Sequence, residues 1–181
     1  MKKIFAILAL AVTSSAFANS FTVESQNINN VSSADQQQLQ LVVRHSFNET
    51  YTGDIVFGNT VTDGTNALST RLEAGVTATA PLFGSVKGYT RVGYGSRYSN
   101  TTDFAYYSVE PGVTMPVGPF TARLGWRYRS AVESVNNDQT HTVRTSLAYA
   151  LTKKDSVGIG YDRVRGDSDQ KTVRLSYTRG F

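Results

Sequence analysis

The chain has 181 residues, with 18 Lys and Arg against 14 Asp and Glu, 15 glycines, four prolines and no cysteine. That length fits one domain, and the lack of cysteine excludes a disulfide framework, so stability has to come from hydrogen bonding and packing. Two of the four net positive charges are Lys2 and Lys3, which leaves the remainder too balanced for total charge to point to a polyanionic partner.

Lys2 and Lys3 precede an apolar run from Ile4 to Val12 and small residues ending at Ala16, Phe17 and Ala18. Charged, apolar and small residues in that order form a cleavable secretory signal, predicted here over residues 1–18. The run is too short to cross a bilayer as a helix, and no later stretch is longer. A membrane protein with this sequence must therefore be a barrel, the other fold that satisfies its backbone polar groups in lipid.

Residues 19–181 read as one domain of strands separated by turns. In chain order the strands are predicted at 20–28, 38–47, 51–59, 69–80, 84–98, 103–115, 119–132, 139–151, 156–165 and 170–181. Short connections fall at Asn48-Glu49-Thr50, Pro81-Leu82-Phe83, Pro116-Val117-Gly118 and Thr152-Lys153-Lys154-Asp155. Longer polar links (29–37, 60–68, 99–102, 133–138 and 166–169) alternate with them, the pattern of periplasmic turns and outer loops. Eight strands would require residues 20–28 to be a tail and one weak segment to drop out. Twelve would leave fewer than the roughly 9 to 11 residues each strand needs to cross lipid at a tilt.

Period-two alternation supports this reading. In the seventh strand Phe120, Ala122, Leu124, Trp126 and Tyr128 share one face, opposite Arg123, Gly125, Arg127 and Arg129. The fourth sets Leu72, Ala74, Val76 and Ala78 against Arg71, Glu73, Gly75, Thr77 and Thr79, and the fifth sets Val86, Val92, Tyr94 and Tyr98 against Lys87, Arg91, Gly93, Gly95 and Arg97. The eighth and tenth repeat it: Val143, Leu147 and Tyr149 oppose Arg144 and Ser146, while Val173, Leu175 and Tyr177 oppose Thr172, Arg174 and Ser176. The expected fold is all-β: a transmembrane antiparallel β-barrel of ten strands, with the apolar face toward lipid and both termini periplasmic. A soluble lipocalin-like barrel is the alternative and would reverse the faces. Tyr51, Tyr94, Tyr98, Trp126, Tyr128, Tyr149, Tyr161 and Phe181 are candidates for interfacial aromatic girdles.

The same parity sends Arg44, Arg71, Lys87, Arg91, Arg97, Arg123, Arg127, Arg129, Arg144 and Arg174 into the lumen as candidate solute-contacting groups, with Glu24, Asp54, Glu73, Glu110 and Asp162 as acidic partners. Unpaired buried ions are costly, so either water fills the barrel and the arginines attract anions, or salt bridges cross it and the outer loops carry the function. Those loops are short and rich in Asn, Ser, Thr and Asp, which identifies no ligand.

Catalysis finds little support. His45 belongs near a short turn and His141 on the lipid face, while Asp138 and Asp167 are loop residues. Gly158 and Gly160 read as relief of crowding inside a barrel rather than a phosphate loop. No zinc spacing or EF-hand spacing occurs, including around Asp63, Asp103 and Asp138, so no metal or other cofactor is expected. Arginines that alternate with apolar residues make no contiguous basic exterior for nucleic acid.

With its signal, Gly-aromatic strands, short turns and terminal Tyr177-Thr178-Arg179-Gly180-Phe181, the chain resembles the bacterial outer-membrane β-barrel superfamily over essentially all of 19–181. The resemblance implies that Phe181 is presented to the barrel-assembly machinery as an assembly signal and that outer-membrane lipid and lipopolysaccharide surround the barrel. A narrower resemblance is to the small monomeric porins for acidic oligosaccharides, which have arginine-lined pores and an early Arg-His pair. Arg44-His45 and the arginines at 123, 127 and 129 stand in those places, in a chain shorter than the twelve-strand members. That resemblance implies passive passage of small, preferentially anionic solutes.

Overall fold

The computed structural model describes residues 19–31, 33–65, 67–99, 102–133, 136 and 138–181; the signal expected over 1–18 lies outside the described residues. Ten strands follow one another: β1 (Ser20–Asn30), β2 (Gln36–Ser46), β3 (Tyr51–Thr62), β4 (Leu68–Phe83), β5 (Val86–Ser99), β6 (Phe104–Val117), β7 (Phe120–Ala131), β8 (Thr140–Ala150), β9 (Asp155–Gly166) and β10 (Gln170–Gly180). Each pairs antiparallel with its neighbours in sequence, and β1 closes on β10 over a register running from Ser20 opposite Gly180 to Asn30 opposite Gln170. Closure leaves no unpaired sheet edge, the condition for a β structure to sit in lipid.

Two turns fall later than the sequence indicates. Pro81, Leu82 and Phe83 continue β4, and the turn is Gly84-Ser85; likewise β6 runs through Val117, and the turn is Gly118-Pro119. The glycines set both boundaries. Gly84 and Gly118 have φ of 54° and 60°, and a two-residue hairpin loop needs that positive φ to match the twist of its strands. Pro81 is tolerated because the β4–β5 register shifts between Pro81 and Phe83. Pro111, which has no N–H to donate, sits in a gap of the β6–β7 ladder between the Val109–Tyr128 and Gly112–Gly125 pairs, with the register unchanged across it.

The polarity is the inverse of a soluble protein. Buried positions include Glu24, Asp54, Glu73, Arg91, Glu110, Arg127, Asp162 and Arg174, while Ile55, Leu72, Val92, Leu124, Ile159 and Leu175 are among the exposed residues. A soluble barrel would waste that outer surface, about 25 cal/mol per Å² of apolar area left in water. The surface chemistry is that of a transmembrane barrel, and the lipocalin-like alternative falls on it.

Interior glycines make room for large groups on the neighbouring strand. A Cβ on Gly112 would stand 2.4 Å from the Tyr89 ring and 2.5 Å from the Leu124 carbonyl oxygen. Gly75 and Gly160 lie under the guanidinium groups of Arg91 and Arg174 in the same way. Gly112→Ala is expected to lower stability by about 1–3 kcal/mol through displacement of Tyr89 and the β7 backbone. Urea unfolding of refolded protein in lipid vesicles, followed by tyrosine and tryptophan fluorescence, measures it.

Candidate functional site in the barrel interior

Alternation places one side chain in two on the inner wall, and cross-strand register then decides which of them meet. Glu73 of β4 lies near the centre. Its Oε1 accepts from Arg91 Nη1 and from Ser108 Oγ at 3.4 Å; its Oε2 accepts from Arg127 Nη2 and from Tyr106 Oη, both at 2.8 Å. Arg91 also grips Asp54 with two hydrogen bonds, Nε to Oδ2 at 2.9 Å and Nη2 to Oδ1 at 2.5 Å. This bidentate geometry orients the guanidinium as well as binding it. The Arg127–Glu73 contact joins β7 to β4, which are not adjacent in the sheet, and so braces the lumen across its width.

A second acid, Glu110 of β6, accepts from Tyr89 Oη and Arg123 Nη2 at 2.9 Å and from Arg144 Nη1 at 2.8 Å. Arg144 continues to Asp162 at 3.2 Å, and Asp162 to Arg174, which reaches Glu24 at 3.1 Å. Gln26 donates to both Glu24 (2.6 Å) and Gln40 (3.3 Å), and Gln40 accepts from Arg71. A hydrogen-bonded belt therefore runs round the wall from β6 through β8, β9, β10, β1 and β2 to β4.

Glu73 and Glu110 are 2% and 1% exposed, so neither can rely on solvent. Each has three or more donors, and this multiplicity offsets the several kcal/mol needed to desolvate a carboxylate. Pairing leaves a remainder. Arg91, Arg123, Arg127, Arg129, Arg144 and Arg174 have carboxylate partners, Arg129 through Asp138 at 2.5 Å. Arg44, Arg71, Lys87 and Arg97 have no ion pair among the described residues. Arg44 donates to Thr22 at 2.7 Å, Arg97 to Ser69 at 3.0 Å and Arg71 to Gln40. Arg71 Nε is buried without a hydrogen-bond partner, as are Arg127 Nε and Arg129 Nε.

Two cavities of about 320 and 290 Å³ occupy the interior. The first, toward the short turns, is lined by Arg44, Arg91, Arg123, Arg174, Glu24, Asp54, Glu73 and Glu110; the second, toward the long loops, by Arg97, Arg129, Asp138 and Asp162. Arg71, Arg127 and Arg144 line both and form the partition between them. Lys87 is exposed beside the β4–β5 turn and lines neither.

Three further groups escaped the sequence reading. Tyr89 and Tyr106 are buried, and the guanidinium carbons of Arg123 and Arg129 lie 3.9 and 5.4 Å from the centres of their rings. Both stand directly opposite glycines, Gly112 and Gly95, so an aromatic-glycine cross-strand pair was the available signal. Asp138 lies outside any strand, where parity says nothing, and nevertheless reaches Arg129. The histidines stay out of the interior: His45 packs on Phe47 and His141 stacks on Trp126 at 5.3 and 5.5 Å. Among the described residues no three of His, Cys, Asp and Glu form a metal-holding group. No helix among them is long and apolar enough to cross a membrane, a statement that does not bear on strands.

A closed ten-stranded barrel, apolar outside and charged inside, has the fold of the bacterial outer-membrane β-barrels. Its solved neighbours include small porins. The NanC porin superposes with a TM-score of 0.52 at 10% identity, over 89% of this chain and 100% of that one. The KdgM porin in complex with disordered oligogalacturonate gives 0.50 at 10% identity, over 90% and 99%. The β domain of the Bordetella autotransporter BrkA reaches 0.55 at 9% identity, over 91% and 99%, so the likeness extends across outer-membrane barrels of different kinds and concerns the fold. No family model matches the chain, and no curated protein does.

Glu73→Gln is expected to cost about 3–5 kcal/mol, because Arg91 and Arg127 lose a charged partner that no other carboxylate replaces for Arg127. The shift in urea midpoint of the refolded barrel reads it. Arg97→Gln, which breaks no ion pair, is expected to stay within about 1 kcal/mol of the parent.

Proposed function

We propose that the protein is an outer-membrane porin-like channel, with both termini periplasmic, that passes small solutes and prefers anions. The observation that carries this reading is the placement of guanidinium groups without carboxylate partners along the whole interior. Arg44 lines the cavity at the short-turn end, Arg97 lines the cavity at the long-loop end, and Arg71 lines both. An anion entering either cavity meets an uncompensated positive charge inside a low-dielectric wall, where its field is strongest. Oligogalacturonate, the ligand of the KdgM porin structure, is an anionic oligosaccharide, and a lumen of this charge suits smaller solutes of that class.

In this reading the paired residues have a different task. Arg91, Arg123, Arg127, Arg144 and Arg174 hold Glu24, Asp54, Glu73, Glu110 and Asp162 on the wall and keep those acids from neutralising the free arginines. Phe181 acts at assembly; in the finished barrel its ring lies 5.8 Å from that of Phe21 and its N–H donates to the Asn19 carbonyl at 3.0 Å.

A second reading has its own observation. The Arg127–Glu73 contact spans the lumen at the partition, and a barrel sealed there would leave any function to its outer loops. Single-channel recording of refolded protein in planar bilayers, with reversal potential under a KCl gradient, separates the two. The channel reading requires steady, anion-selective conductance, weakened several-fold in selectivity by Arg71→Ala and Arg97→Ala without loss of folding. Correctly folded protein that conducts nothing supports the sealed barrel.

A further inference from the structure

In its long-loop half the outer wall of the barrel is free of charge on eight of its ten strands. Positions outward by alternation in the long-loop half of β1 to β8 carry Asn, Gln, Ser, Thr, Tyr, Trp, His and apolar residues, and none carries Lys, Arg, Asp or Glu. On β9 and β10 the corresponding positions are Arg163, Arg165 and Lys171. Lys171 stands directly opposite Arg163, and Arg165 directly opposite His141 of β8. Like charges facing each other across a ladder are destabilising unless something compensates them. Asp169 pairs with Arg163, while Arg165 and Lys171 are exposed and form no ion pair among the described residues.

The surroundings give the depth of this patch. One residue pair further from the loops lie Tyr161 and Val173, and Val143 stands directly opposite Arg163; all three are exposed, on an apolar wall that continues past Ile159 and Leu175. Beside it Trp126, Tyr128 and His141 form a stacked group with ring centres 5.3–6.5 Å apart. Aromatic residues of that kind collect where acyl chains give way to headgroups, and the cost of a cation on the lipid face falls toward zero at the same level. The two unpaired cations therefore lie at headgroup height, over a surface suited to acyl chains. On the strands at the other rim the outward charges are Arg179 and Asp155, which face each other at 3.6 Å.

From this we infer that the β8–β10 face at the long-loop rim docks a phosphorylated glycolipid of the outer leaflet, its phosphate between Arg165 and Lys171 and its acyl chains along Tyr161, Val173 and Val143. The inference rests on the outer-membrane orientation proposed above, in which the long loops face outward. Arg165 and Lys171 are diagonal neighbours on adjacent strands, roughly 7–8 Å apart at the backbone, a span that two long side chains close around one phosphate. His141, directly opposite Arg165, borders the site on the β8 side, with Trp126 of β7 stacked on it.

The test titrates the protein, refolded in non-ionic detergent, with bisphosphorylated lipid A and with the same lipid dephosphorylated, and counts bound lipid by native mass spectrometry. The wild type is expected to bind the phosphorylated form about tenfold or more tightly than the dephosphorylated one, and the double variant Arg165→Gln, Lys171→Gln to lose that preference. Arg179→Gln, a change to the outward cation at the other rim, keeps it. Equal binding of the two lipids by the wild type, or an unchanged preference in the double variant, overturns the inference. Both substituted groups are exposed and outside the lumen, so the double variant retains wild-type conductance. A barrel that is electrically silent yet discriminates the two lipids overturns the channel and leaves the lipid site standing.

Discussion

Every backbone N–H and C=O in a lipid-embedded strand needs a partner within the protein, because the hydrocarbon offers none. The β1–β10 ladder meets this condition, and the rest of the structure follows from it. Once the sheet is closed, each strand has one face toward lipid and one toward an enclosed interior. The polar side chains alternating with Leu, Val and Tyr then have nowhere to go but inward. Burial of charge in this barrel is a consequence of closure, and the ionic network is how the chain accommodates it.

That network divides the interior cations into two groups with different physical roles. Arginines bound to Glu73, Glu110, Asp54, Asp162 and Glu24 neutralise acids that closure has desolvated, and their removal leaves a buried charge exposed to no solvent. Arg44, Arg71 and Arg97 donate to neutral groups, so no carboxylate partner cancels their charge. Aromatic rings serve the first group: Tyr89 and Tyr106 donate to Glu110 and Glu73 while guanidinium groups lie over their faces. The glycines opposite these tyrosines leave the space in which the rings lie against the wall. Outside, the same economy of charge holds, and the patch on β9 and β10 stands out because the remainder of that belt is neutral.

The likeness to other barrels has the same origin. At 9–10% identity, superposition over about nine-tenths of this chain reflects a shared solution to backbone satisfaction in lipid rather than shared side chains. Porins and an autotransporter domain meet that constraint alike, and what each does resides in interior and rim residues that the superposition does not compare.

The sequence by itself determined the ten-stranded barrel and the alternation of polar and apolar positions along its strands, since a period of two assigns every residue in a strand to one side. It misplaced the β4–β5 and β6–β7 turns by two or three residues, because Pro81 and Pro116 read as breaks whereas the positive φ of Gly84 and Gly118 sets the reversal. Only the tertiary structure decided which charges meet. Arg127 and Glu73 are 54 residues apart on strands that are not neighbours, and Arg174 and Glu24 are 150 apart across the barrel seam. Alternation orients a side chain but carries no information about the wall opposite. The diameter and stagger of the closed sheet set those distances, and they belong to all ten strands together.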